Sequence, residues 1–181
     1  MKKLLVFVAA LMLFSLSVFA EEKMPYTDKI ALGIDVFKSK AVMRFWQGDN
    51  FAIDAYAGLS YRDATTVSLG GGVALPVFNA ADVYGYFVGG AGFGLAAYSQ
   101  TGLTSTGISF GINAGIELEV FLTPLSKNLS IASAVGMTAG MTRTENKITI
   151  PGDEHTDVEN EFYFGLAEGA AVNSLIIRYY F

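Results

Sequence analysis

The feature that most constrains this chain is strict two-residue alternation, clearest from Ile108 to Val120. Ile108, Phe110, Ile112, Ala114, Ile116, Leu118 and Val120 form one set, and Ser109, Gly111, Asn113, Gly115, Glu117 and Glu119 form the other. A β-strand sends successive side chains to opposite faces, so one face here is wholly apolar and the other small or polar. A helix, with its period near 3.6, would mix the two sets. The pattern returns from Phe51 to Tyr61 and from Leu129 to Met141. It returns again at the end, where Leu175, Ile177, Tyr179 and Phe181 alternate with Ser174, Arg178 and Tyr180.

Weaker alternation fills the intervals, and it predicts strands near 30–37, 40–46, 51–61, 66–76, 83–98, 106–121 and 129–142. An eighth, long or bulged strand falls within 161–181. Hydrophobic residues make up 52% of the chain, yet after residue 20 no apolar stretch approaches the ~20 residues of a spanning helix. Lipid contact through alternating strands disposes of that much apolar surface. The expected fold is therefore all-β, an eight-stranded antiparallel up-and-down transmembrane β-barrel. The segment at 83–98 is rich in glycine. Its GGAGFG is not a dinucleotide fingerprint, because Leu95 stands where the third glycine belongs and no helical pattern follows. Glycines there are expected to make room for inward tyrosines in a narrow barrel.

The first twenty residues read as a cleaved signal peptide. Lys2 and Lys3 form a positive start, Leu4 to Val18 an apolar run, and Val18 and Ala20 the small residues before a cut ahead of Glu21. The absence of any cysteine rules out a lipoprotein anchor, disulfides and thiolate chemistry. Residues 21–181 then form one outer-membrane barrel domain. The net charge of −5 counts Lys2 and Lys3, so the mature domain is more acidic still and a poor partner for nucleic acid.

With both termini in the periplasm, connections 47–50, 77–82 and 122–128 fall inside and those at 38–40, 62–65, 99–105 and 143–160 fall outside. The long acidic segment 143–160 then lies outside, as the usual asymmetry of such barrels requires. A competing count merges 30–46 into one strand and splits 161–181 into a hairpin, which moves the long loop inside. Aromatic residues gather near strand ends and predict two interfacial girdles. Phe45, Trp46, Phe51, Phe78, Tyr84, Tyr86, Phe121, Tyr179 and Phe181 would form the inner one, and Tyr61, Tyr98, Phe162, Tyr163 and Phe164 the outer.

The C-terminal SLIIRYYF resembles the terminal strand signal of outer-membrane barrels, with Tyr179 and Phe181 in the alternating positions that assembly machinery reads. The segment from Ala31 to Tyr61, with Arg44-Phe45-Trp46 before a tight polar turn, resembles the opening of small porin-like bacterial barrels. The resemblance covers the two ends and the strand rhythm, and it implies membrane class and fold but no activity.

Five charged residues take inward positions in the periplasmic half: Arg44, Asp54, Glu117, Glu119 and Arg178. An eight-stranded barrel has just enough interior for side chains to fill it, and an unpaired ion there costs several kcal/mol. The five are therefore expected to pair as a structural plug, with a gated ion path or a catalytic role as rival readings. Glu117 and Glu119 point the same way, about 7 Å apart along the strand, a spacing that could serve acid/base work only in an open cleft. His155, the single histidine, lies in the acidic segment beside Asp153, Thr156 and Asp157 with no serine nearby in sequence. That segment lacks the spacing of a calcium loop. No catalytic, cofactor or metal site is expected.

The expected protein is a monomeric, non-enzymatic outer-membrane barrel with a filled lumen and a structural or surface-interaction role. Its partners would be outer-membrane lipid, the barrel assembly machinery and a surface partner through 143–160. The alternative is a small pore for ions or solutes.

Overall fold

The alternating segments become strands, and the computed structural model shows no helix among the residues it describes, which are 29–61, 64–150, 153–166 and 174–181. The signal peptide expected at 1–20 lies outside the described residues. The strands are β1 (Ile30–Asp35), β2 (Lys40–Gln47), β3 (Phe51–Tyr61), β4 (Thr65–Ala80), β5 (Val83–Gln100), β6 (Leu103–Phe121), β7 (Leu129–Ile150), β8 (Asp153–Leu166) and β9 (Ser174–Tyr180).

Every pairing is antiparallel, and β1 to β7 each pair with the next strand. β9 then joins the lower part of β7 to β1 and closes the ring, while β8 lies on the upper part of β7. β8 and β9 thus share one of eight positions around an up-and-down ring. Hydrogen-bonded partners followed from Lys40 through Gly58, Ser68, Gly94 and Ser109 arrive at Thr142 on β7. The opposite route, through Asp35 and Ile176, arrives at Ala132. The stagger of ten residues between Thr142 and Ala132 tilts the strands by about 40° and sets a backbone radius of about 8 Å.

The strand order follows the first of the two counts, with β1 and β2 separate and turning at 36–39. Two expectations need correction. Segment 143–160 is not a loop, because β7 runs on to Ile150 and β8 returns from Asp153 as a long hairpin. Both faces of that hairpin are mostly polar, with Ile148, Ile150 and Val158 scattered between them, so no sustained apolar alternation marks it, and its ladder rests on backbone pairing and cross-strand pairs such as Lys147–Glu154 at 2.5 Å. The final segment is also two strands, β8 and β9, each laid along β7.

Alternation sorts the side chains inside out. The outward set is exposed: Ile112 is 55% accessible, Phe110 52% and Leu69 54%. The inward set at the lower end, where Phe181 lies, is buried. The inner aromatic girdle is corrected by this parity, because Trp46, Tyr84, Tyr86 and Phe121 point into the lumen and pack with Tyr180. Phe51, Tyr179 and Phe181 remain on the outside.

Glycines floor the large inward tyrosines, as the glycine-rich strand led one to expect. A Cβ on Gly92 would stand 2.6 Å from the Tyr56 hydroxyl oxygen, and one on Gly70 would strike the Tyr56 ring. Tyr163 lies in the same way over Gly111 and Gly140. Gly70→Val is expected to destabilise the fold by about 1–3 kcal/mol, because the Tyr56 ring must leave its place. Equilibrium urea unfolding measures it.

Candidate functional site

Arg44 and Asp54 are direct cross-strand partners on β2 and β3, so parity turns both inward at the same level. Their pairing is a two-pronged fork, with Arg44 Nε donating to Asp54 Oδ1 at 2.7 Å and Nη2 to Oδ2 at 2.6 Å. The remaining Arg44 nitrogen, Nη1, reaches across the lumen to Glu117 Oε1 on β6 at 2.7 Å. Arg178 comes from β9 and forks onto the same carboxylate, Nη1 to Oε1 at 2.8 Å and Nη2 to Oε2 at 3.0 Å. Glu117 therefore bridges two guanidiniums that would otherwise face one another.

Glu119, two residues along on the same face, lies 3.6 Å from Arg44 and 3.3 Å from Arg178. It also accepts from the Ser130 hydroxyl at 2.5 Å and from the Tyr180 hydroxyl at 2.9 and 3.1 Å. Arg44 and Glu119 are fully buried, and Glu117 and Arg178 almost so. The Arg44 guanidinium also sits 5.1 Å from the Tyr86 ring centre, which adds a cation–π contact.

The structure thus brings all five sequence-selected charges into one network on β2, β3, β6 and β9. Two arginines meet three carboxylates. The third carboxylate, Asp54, is the one nearest solvent, and hydroxyls serve Glu119. Each oxygen of Glu117 and Glu119 already accepts a hydrogen bond, so the cluster offers ties between strands rather than a free acid or base. With the aromatic cluster below it, the network floors the lower lumen.

Ser130 and Tyr180 were not singled out from sequence, although parity places both on the inward face beside Arg178. Asp35 was missed as well. It is buried, accepts the Ser174 hydroxyl at 2.6 Å, and takes the backbone N–H groups of Phe37 and Lys38 at 3.1 and 3.2 Å. A short polar residue before a turn was the available signal. At the C-terminus, Tyr179 and Phe181 lie side by side on the outer surface, with ring centres 5.1 Å apart.

Above the floor the lumen lining changes to Gly, Ala, Ser and Thr. A cavity of about 240 Å³ opens there, with Thr66, Tyr98, Ser105, Ser109, Thr142 and Thr144 among its lining residues. His155, Asp157, Glu159 and Glu161 stand exposed along one face of β8, where Glu161 and Glu159 pair directly with the cavity-lining Thr142 and Thr144. Among the described residues no group of three or more His, Asp and Glu side chains is placed to hold a metal.

No family model, curated protein or solved structure matches the chain.

Proposed function

We propose that this protein is an outer-membrane β-barrel of the cell envelope, plugged in its lower half, with a structural or surface-interaction role. The observation that carries this reading is the inversion of polarity. Around the ring, apolar side chains turn outward, from Leu32 and Ile53 through Leu69, Phe93 and Ile112 to Ile177, while Arg44, Glu117, Glu119 and Arg178 are buried within. A soluble protein of this size rarely exposes an apolar patch beyond a few hundred Å². A barrel in lipid requires an apolar belt around its whole circumference.

In this reading the Phe181 end faces the periplasm and the β7–β8 hairpin projects outward as the surface for a partner. The leader at 1–20 directs export, and Tyr179 and Phe181 present the assembly signal. Deleting Phe181 is expected to lower the amount of barrel reaching the outer membrane several-fold, read by fractionation against the wild type. Unchanged levels would remove the terminal signal from the reading.

The hollow upper lumen favours one rival, a small pore. Conductance of the refolded domain in a planar bilayer separates the two. Inserted protein that stays silent supports the plug. Discrete current steps would overturn it, and Arg44, Glu117 and Arg178 would then be the residues lining the path.

A further inference from the structure

β8 is paired along one side only. β7 holds that side from Met137 to Ile150, and the other edge of β8 has no strand partner among the described residues. Residues 167–173 cannot cover its upper part. They join Leu166 to Ser174, which pair with Met137 and Ala134 on β7. A link of that length, about 27 Å fully extended, can rise only about 9 Å above Leu166 before it must return. Glu161 stands about 17 Å above Leu166 along the strand. The chain before Lys29 enters at the opposite end of the ring, beside Trp46.

From Asp153 to Glu161 the strand therefore presents a bare backbone edge. Successive residues direct their N–H and C=O groups to alternate sides, so about half of them aim both groups away from β7. Natural sheets blunt such edges with proline, lysine, a bulge or a short strand. β8 runs for 14 residues without a register shift and contains no proline, lysine or arginine. This stretch also stands clear of the apolar belt, since Phe164 and Phe162 give way above to Asn160, Val158, Thr156 and Glu154 on the outer face.

The side chains select what can pair there. Asp157, Glu159 and Glu161 lie opposite Asn146, Thr144 and Thr142, so they take the lumen-side parity. They are exposed, and they form no ion pair among the described residues. Between them the outer face is neutral at Val158 and Asn160. A strand added to this edge would bring a residue to about 4.5–5.5 Å from each of these positions. Cations at every second place would meet the carboxylates, and β-branched residues between them would meet Val158. A second copy of β8 would set acid against acid.

From this geometry, and resting on the membrane reading above, we propose that the upper edge of β8 binds an extended cationic segment of a partner protein, which adds to the projecting sheet as a further strand. Main-chain hydrogen bonds to the bare edge supply affinity, and the alternating carboxylates supply specificity. The segment that fits alternates lysine or arginine with β-branched apolar residues.

The test uses the full mature chain refolded in phosphatidylcholine vesicles, with insertion verified by heat-modifiable migration. The probe is a fluorescent heptapeptide of alternating lysine and valine, followed by anisotropy. Saturable binding is expected, and a peptide of the same composition with its lysines in one block is expected to bind about tenfold more weakly. N-methylation of every second amide is expected to abolish binding in one frame and spare it in the other, because only one edge of the peptide faces β8. Asp157→Asn, Glu159→Gln and Glu161→Gln combined are expected to weaken binding about tenfold. Equal binding of the alternating and block peptides, equal effects of the two N-methyl frames, or wild-type binding by the triple variant would overturn the proposal. A doubled mass in sedimentation that the peptide does not reverse would assign the edge to a second copy and overturn it as well. Failure to insert would remove the membrane reading too, whereas insertion without saturable binding removes only this one.

Discussion

Glu117→Ala is expected to cost about 3–5 kcal/mol of unfolding free energy, the largest loss from any single side chain in this protein. The substitution removes the one carboxylate to which both Arg44 and Arg178 donate hydrogen bonds, leaving the more distant Glu119 as their shared ion-pair partner, and those guanidiniums are almost fully buried. Each would lose charge-assisted hydrogen bonds and face a like charge in a low-dielectric interior. Glu119, already engaged by Ser130 and Tyr180, is not free to replace it. Glu117→Gln retains an acceptor and the shape, and its loss is expected to be smaller. The contrast is Lys147–Glu154 on the projecting hairpin, whose side chains are 47% and 55% accessible. Breaking that pair by Glu154→Ala is expected to change stability by no more than about 1 kcal/mol. Urea titration in phospholipid vesicles reads all three variants. Equal small losses at Glu117 and Glu154 would mean that the lumen network does not hold the strands together.

The second large effect belongs to the outer face. Ile112→Arg is expected to weaken folding into lipid by about 2–4 kcal/mol, the cost of a guanidinium near the middle of a bilayer. Ile112 is 55% accessible and has no charged neighbour in its cross-strand partners, Ala91 and Ala139. In a soluble protein the same exposed position would accept arginine at almost no cost. Unchanged folding of this variant in vesicles would therefore count directly against lipid contact at the face.

The ring and its inside-out polarity were legible because alternation encodes them residue by residue. Once Glu117 is inward, so are Glu119, Gly115 and Asn113, and cross-strand parity carries the assignment to Arg44, Asp54 and Arg178. What the sequence concealed has physical causes too. The upper β7–β8 hairpin is mostly polar on both faces, so Thr144, Asn146, Glu159 and Glu161 carry no sustained hydrophobic period even though their backbone continues the ladder. Aromatic residues near strand ends read alike whether they face lipid or lumen. Only parity separates Trp46 and Tyr86, which cover the ion network, from Phe51 and Tyr179 outside.

Contact between the even-numbered face of β6 and lipid is the premise on which the rest depends, and the chain's lack of cysteine makes it directly measurable. Single cysteines at Ile108, Phe110, Ile112, Ala114 and Ile116, and at inward Ser109 and Asn113, can carry a nitroxide in vesicle-inserted protein. Collision with oxygen, which concentrates in the bilayer, is compared with collision with a water-soluble nickel chelate. The five even positions are expected to favour oxygen, and Ser109 and Asn113 are not. Loss of that alternation, or free access of the nickel chelate to Ile112 and Ala114, would contradict a membrane-spanning barrel.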